Sequence, residues 1–176
     1  MRIFIAIDLP EDIKEKISSF YKDVKGVNGK FVEKENLHIT LKFLGELQPN
    51  FVEKIKEKLN EIKFRKFTIS ISGIGTFNRR VLWFGVKKGY YELLELHKLI
   101  DEKLNELKIP KDFEFSPHIT ILRIKNIFDN SSFDKSINNL KDIYIGEFMV
   151  DRFKLKQSIL RPQGPLYLDV KEYLLE

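Results

Sequence analysis

Apolar residues along this chain follow two periods, continuous or every-second runs and runs near 3.6, and the switches between them outline its elements. Arg2 to Leu9, rich in Ile and Phe, reads as a buried strand. Pro10-Glu11-Asp12 then opens a helix with acidic residues in its first turn, expected to reach about Lys25, where Gly26 closes it. Lys30 to Val32 is a short extended piece, and Asn36 to Leu44 is a strand ended by Gly45. Pro49-Asn50 starts a second helix carrying Val52, Ile55, Leu59 and Ile62 at helical spacing. Phe67 to Phe77 and Val81 to Val86 read as strands joined through Asn78-Arg79-Arg80. The helical period returns from Tyr90 to Leu107 and stops before Pro110. A strand over Phe115 to Ile124, a short helix over Ser132 to Leu140 and a long extended segment over Ile143 to Ile159, with room for a bend, come next. Beyond the Gly164-Pro165 turn lies a last strand, Leu166 to Val170.

Strands and helices thus alternate without a low-complexity linker. The connections are too short for a large crossover sheet, so the pattern predicts an α+β or mixed α/β fold with two sheets and outer helices. A length of 176 residues suits one domain or two small lobes sharing a core.

Composition narrows the possible chemistry. A net charge of +5 and a pI near 9.2 favour a polyanionic partner such as nucleic acid, although a solvated lysine-rich face gives the same balance. The absence of cysteine excludes disulfides, thiolate catalysis and cysteine zinc sites, and agrees with a reducing cytoplasm. The opening apolar run is cut by Asp8, and no stretch approaches the ~20 apolar residues of a membrane span. A soluble cytoplasmic protein without membrane contact is the expectation.

The chain has three histidines and four threonines, and two of those histidines have threonine two positions later: His38-Ile39-Thr40 and His118-Ile119-Thr120. In shuffled sequences of this composition two such pairs arise roughly once in several hundred. Both continue apolar, as Leu41 and Ile121, both lie in predicted strands after a turn-like segment, and they stand 80 residues apart, close to half the chain. That spacing marks an internal duplication.

On a strand, residues i and i+2 share a face, about 6.5 Å apart. His38 with Thr40, and His118 with Thr120, therefore present an imidazole and a hydroxyl to one side while Ile39 and Ile119 anchor the other. If the two polar faces meet, one imidazole can take a proton from a nucleophile while the other gives one to a leaving oxygen, each transfer contributing roughly 10²- to 10⁴-fold. The threonine hydroxyls suit the non-bridging oxygens of a phosphate. A metal site is disfavoured because no carboxylate occurs within either triplet or in the two residues after it. The third histidine, His97, sits mid-helix among leucines and reads as a packing or surface residue.

These residues resemble the 2H phosphoesterase superfamily, named for paired His-x-Thr-x motifs, and within it the RNA 2′,3′-cyclic phosphodiesterases, also called 2′-5′ RNA ligases. The likeness runs through Arg2 to Ile7, through Leu37 to Gly45 around the first motif, through Ser116 to Arg123 around the second, and through Leu155 to Tyr167. It covers nearly the whole chain. It implies a single bilobal domain over residues 1–176, with a pseudo-two-fold duplication and two antiparallel sheets forming a central groove with helices outside. It also implies hydrolysis of RNA 2′,3′-cyclic phosphate ends to 2′-phosphates, with His38 as proton donor and His118 as proton acceptor. Thr40 and Thr120 would assist, and no metal or other cofactor is implied. The partners would be RNA ends, tRNA halves among them, and the chain a monomer. Joining of tRNA halves, or RNA binding without turnover, are the alternative roles.

Arg123 aligns with the family's phosphate-binding arginine, but it lies an odd number of residues from His118, and simple alternation puts it on the far face. A bulge or the strand's end is needed to bring it back. Lys42 shares parity with His38 and is expected to extend the electropositive groove, unless it is an ordinary strand lysine. Phe43 and Phe4 are either base-stacking platforms or core.

Overall fold

A computed structural model describes residues 1–176. Nine strands and four α-helices follow in the order β1 (Arg2–Asp8), α1 (Glu11–Ser18), β2 (Val27–Phe31), β3 (His38–Glu46), α2 (Pro49–Leu59), β4 (Phe67–Phe77), β5 (Val81–Val86), α3 (Tyr90–Asn105), β6 (His118–Ile127), α4 (Asn130–Leu140), β7 (Tyr144–Val150), β8 (Arg152–Ile159) and β9 (Leu166–Leu174). The strands form two sheets, one of four in the order β3-β1-β8-β9 and one of five in the order β2-β6-β5-β4-β7. Every pairing is antiparallel, as the α+β expectation required.

Each helix buries one stripe. Ile13 and Ile17 do this for α1, Val52, Ile55 and Leu59 for α2, Leu93, Leu96, Ile100 and Leu104 for α3, and Phe133 and Leu140 for α4. These side chains join the strand residues Ile5, Ile39, Ile69, Phe84, Ile119 and Leu155 in one continuous apolar cluster. Ile3 to Ile7 of β1 are all buried, because this central strand is covered on both faces.

The expected first helix is cut short. It ends at Ser18, and a 3₁₀ turn at Tyr21–Asp23 leads into β2. Tertiary contacts override the helical pattern here: the Tyr21 ring stacks on Phe31 at 4.5 Å and its hydroxyl donates to Val32 O at 2.8 Å. Gly26 then turns the chain at φ 73°, where a Cβ would lie 2.4 Å from the carbonyl oxygen of Asp129. The long segment from Ile143 does bend: β7 and β8 part at Asp151 and enter different sheets. Both motif strands begin at their histidine, at His38 rather than Asn36 and at His118 rather than Phe115. The last strand extends past Val170 to Leu174.

The two sheets match in order. β3-β1-β8-β9 corresponds to β6-β5-β4-β7, and β2 is an additional edge strand paired with β6. The sheets do not divide the chain in half, since β2 joins the sheet of the second motif and β8 and β9 join that of the first.

Candidate active site

The motif strands β3 and β6 lie close together, one from each sheet, and border a cavity of about 310 Å³ lined by His38, Thr40, His118, Thr120, Phe43 and Arg123 among others. Six of the eight candidate site residues therefore meet at one place, and Lys42 and Phe4 do not line it.

The two rings are held alike. His38 Nδ1 lies 2.7 Å from Asn36 O, and His118 Nδ1 lies 2.7 Å from Ser116 O. A carbonyl can only accept, so Nδ1 carries the proton in each ring and Nε2 of the neutral ring is an acceptor. Thr40 Oγ1 donates to His38 Nε2 at 2.8 Å. Aromatic rings fence both imidazoles: Phe4 and Tyr167 at 5.4 Å from His38, Phe77 at 4.8 Å and Trp83 at 6.4 Å from His118.

Burial pushes the His38 imidazole down from its ordinary range to about 4, aided by Lys156 and Arg123 and opposed by Asn36 O and Asp8. His118 is lowered as well, by burial first, with the Ser116 carbonyl opposing and Arg123 adding to the depression. Arg123 lines the same cavity as both histidines and Tyr167, and its charge acts on both imidazoles and on the Tyr167 hydroxyl.

One structural device decides the fate of Arg123, Lys42 and Phe43. In the β5–β6 ladder, Trp83 pairs with Thr120 but Leu82 with Leu122, so Ile121 is an extra residue in β6. In the β1–β3 ladder, Ala6 pairs with Thr40 but Ile5 with Lys42, so Leu41 is the extra residue in β3. Each bulge reverses the alternation after the threonine. Ile121 and Leu122 are both buried and Arg123 is turned out; Leu41 and Lys42 are both buried and Phe43 is turned out, 70% exposed.

The expectation for Lys42 is thereby corrected. It is 3% exposed, does not line the cavity, and points beneath the sheet, where Nζ meets Asp101 at 2.7 Å and Asp112 at 2.9 Å. Phe4 is buried at 3%, with its ring tilted 43° to that of His38 and packed against Phe43 and Tyr167.

Two further features escaped sequence inspection. Tyr167 of β9 closes the His38 side of the cavity, brought there by a C-terminal strand that pairs only with β8. Next to it, Asp8, Lys154, Lys156 and Asp169 form an alternating-charge square with N–O distances of 2.7 to 3.0 Å. The i, i+2 spacing of Lys154 and Lys156 was the available signal, but their partners come from β1 and β9, remote in sequence.

A set of side chains that could serve as metal ligands, His97, Asp101 and Asp112, lies outside this cavity. Lys42 already bridges its two carboxylates, so an ammonium stands where a cation would. His97 is buried, as a packing residue should be, and it also contacts Asp112 Oδ2 at 2.8 Å.

A family model described as LigT-like phosphoesterase matches residues 7–83 and 86–167. A protein of Methanocaldococcus jannaschii named RNA 2′,3′-cyclic phosphodiesterase is 44% identical over 98% of this chain and all of its own length. One of the same name from Archaeoglobus fulgidus is 40% identical over 98% of this chain and 99% of its own. Among solved structures, Escherichia coli LigT complexed with 3′-AMP superposes with a TM-score of 0.82 at 27% identity, covering 99% of this chain and 97% of that one. Paired His-x-Thr strands on one groove, a family model matched over most of the sequence and full-length relatives agree, and the chain belongs to the LigT-like phosphoesterase family.

Proposed function

We propose that this protein hydrolyses the 2′,3′-cyclic phosphate end of RNA to a 2′-phosphate, with His118 as the base toward water and His38 as the acid toward the departing 3′ oxygen. The observation that carries this is the pair of imidazoles, each with Nδ1 tied to a carbonyl, beside Arg123 on one cavity. The names of the relatives and the 3′-AMP complex of Escherichia coli LigT support the substrate class.

In the step, water oxygen bonds to phosphorus as its proton passes to His118 Nε2, and the bond from phosphorus to O3′ breaks as O3′ takes the proton from His38 Nε2. One proton enters and one leaves, and the rings exchange charge states. His38 must be protonated first, against the burial that lowers it, and the anionic phosphate supplies the opposing charge. Protonation also frees Thr40: its hydroxyl no longer donates to Nε2 and can turn to a non-bridging oxygen, as Thr120 can from the other strand. Arg123 offers a planar fork to the phosphate. The step as written uses no metal. Incubating the protein with a 2′,3′-cyclic nucleotide, with and without chelator, and resolving 2′- from 3′-phosphate tests it. A 3′-phosphate product, or turnover lost to chelator, would overturn it, and tight binding without turnover would make the protein an RNA binder.

The pH profile follows from the two depressed rings. The reaction needs one ring neutral and one protonated, so the kcat/KM curve is a bell with limbs at the free-enzyme values. One is about 4 and the other lies below 6.5, so the optimum falls on the acid side of pH 6.5. The kcat curve lies at higher pH, because bound phosphate raises both rings. A kcat/KM optimum above pH 7 would remove this assignment.

Past Phe43 and Arg123 the groove opens into a second cavity of about 610 Å³ bordered by Arg2 and Leu160. We assign it to the next nucleotide of the RNA. A cyclic-phosphate dinucleotide should show a lower KM than the mononucleotide, and Arg2→Gln should raise the dinucleotide KM about fivefold, the worth of one exposed charge contact. Equal KM values for the two substrates would take this cavity off the substrate path. A 5′-hydroxyl end presented to His118 in place of water would bond to phosphorus as O3′ leaves and so form a 2′-5′ linkage, and incubation with paired tRNA halves reads that out.

The matched strand orders support reading residues 1–176 as one bilobal unit built from a duplicated half, with β2 added and β8–β9 exchanged. A monomeric mass in solution is the corresponding expectation.

A further inference from the structure

The segment between α3 and β6 carries Ser116 O, the atom that orients His118, yet residues 110–117 hold no helix or strand and take part in none of the backbone hydrogen bonds formed in turns and loops. The equivalent anchor of the first motif is built differently. Asn36 sits in a 3₁₀ turn, its N–H donating to Glu33 O at 2.8 Å and its Nδ2 to Pro165 O at 2.9 Å. Something else must hold the second anchor.

We propose that Lys42, Asp101, Asp112 and His97 form a clasp that positions His118, tying the strand of the first motif to the segment that orients the second. This rests on His118 being a reacting group, as proposed above. The lysine ammonium is the centre of the clasp. Nζ donates to Asp112 Oδ1 at 2.9 Å and to Pro110 O at 3.1 Å, and forms an ion pair with Asp101 Oδ1 at 2.7 Å. The Asp112 N–H donates to Asp101 Oδ2 at 2.9 Å, and His97 Nε2 meets Asp112 Oδ2 at 2.8 Å. The His97 ring in turn stacks on Phe115 at 4.1 Å with 8° between the planes, and Phe115 directly precedes Ser116.

Lys42 stands two residues after Thr40, on the strand that carries His38. Its ammonium therefore sets the position of the Pro110–Asp112 backbone relative to that strand, and the His97–Phe115 stack carries the constraint to Ser116. Lys42 and Asp112 are positioning residues: they touch no substrate and act through the Ser116 carbonyl.

Asp112→Ala tests this without stranding a charge, since Lys42 keeps Asp101. We expect kcat to fall about 10- to 100-fold, the cost of displacing a reacting group by about an ångström, with KM within about twofold. In ¹⁵N spectra the His118 ring should change from the Nδ1–H tautomer to a mixture, while His38 keeps its pattern as an internal control. Asp112→Asn, which preserves shape and can still accept from Lys42, should restore kcat to within about threefold. Should Asp112→Ala fail to fold, Phe115→Leu removes the stack alone and is expected to give the same tautomer change. Unchanged kcat together with an intact His118 tautomer overturns the clasp. Loss of the tautomer with full activity would instead remove His118 from the chemistry and leave the clasp standing.

Discussion

His38→Ala and His118→Ala are each expected to reduce turnover of a 2′,3′-cyclic phosphate end by about 10³- to 10⁵-fold, and the double variant to fall little further. In the proposed step each ring supplies a proton transfer worth roughly two to four decades, and without one transfer the other has no balanced step to serve. The geometry adds a specific expectation. Nδ1 of both rings is engaged by a main-chain carbonyl at 2.7 Å, so only Nε2 faces the groove. Asparagine at either position should keep the carbonyl contact and lose the proton transfer, and so behave like alanine. Burst-free steady-state assays on a cyclic dinucleotide read this directly, with circular dichroism confirming the fold. Turnover within tenfold of the parent in either single variant would end the paired-imidazole assignment.

Lys42→Met should lower the free energy of unfolding by about 3–5 kcal/mol, the cost of leaving buried charge uncompensated. The Lys42 side chain is 2% exposed and that of Asp101 7%, so water cannot replace the lost ammonium. Asp112, about one-third exposed, can re-solvate in part. Burial tends to raise its carboxyl, but His97 and Lys42 outweigh that and hold it below the usual range. Converting both carboxylates to amides in the Lys42→Met background should recover most of the loss, because the penalty comes from unpaired charge. Urea unfolding at constant pH measures both steps. A loss under about 1 kcal/mol is the value of a solvated surface pair and would contradict the buried network.

Lys42 also shows where inspection of the sequence stops. Alternation along a strand is a local steric rule, so His38, Thr40, His118 and Thr120 could be placed on one face each from their spacing alone. The same rule put Lys42 in the groove and Arg123 behind it, and both assignments are reversed. The cause is one extra residue in each motif strand, Leu41 and Ile121, visible only once the partner strands are paired. Leu41 and Ile121 are ordinary strand residues that continue the alternation begun at the histidine, so nothing in the residue types marks the insertion. The opening helix failed at Tyr21 for a related reason, because the Phe31 ring and the Val32 carbonyl that capture it belong to the following strand.

Residue spacing along the chain was enough to identify the repeated His-Ile-Thr signal, the helix stripes, most strand positions and the family they resemble, because each depends on neighbours within a few residues. The convergence of the two motifs, the turning of Arg123 into the groove, the burial of Lys42 against α3 and the closing of the groove by Tyr167 arise from pairings between segments far apart in the chain. Those pairings are set by the free energy of packing both sheets around one core, a quantity that no short window of sequence contains.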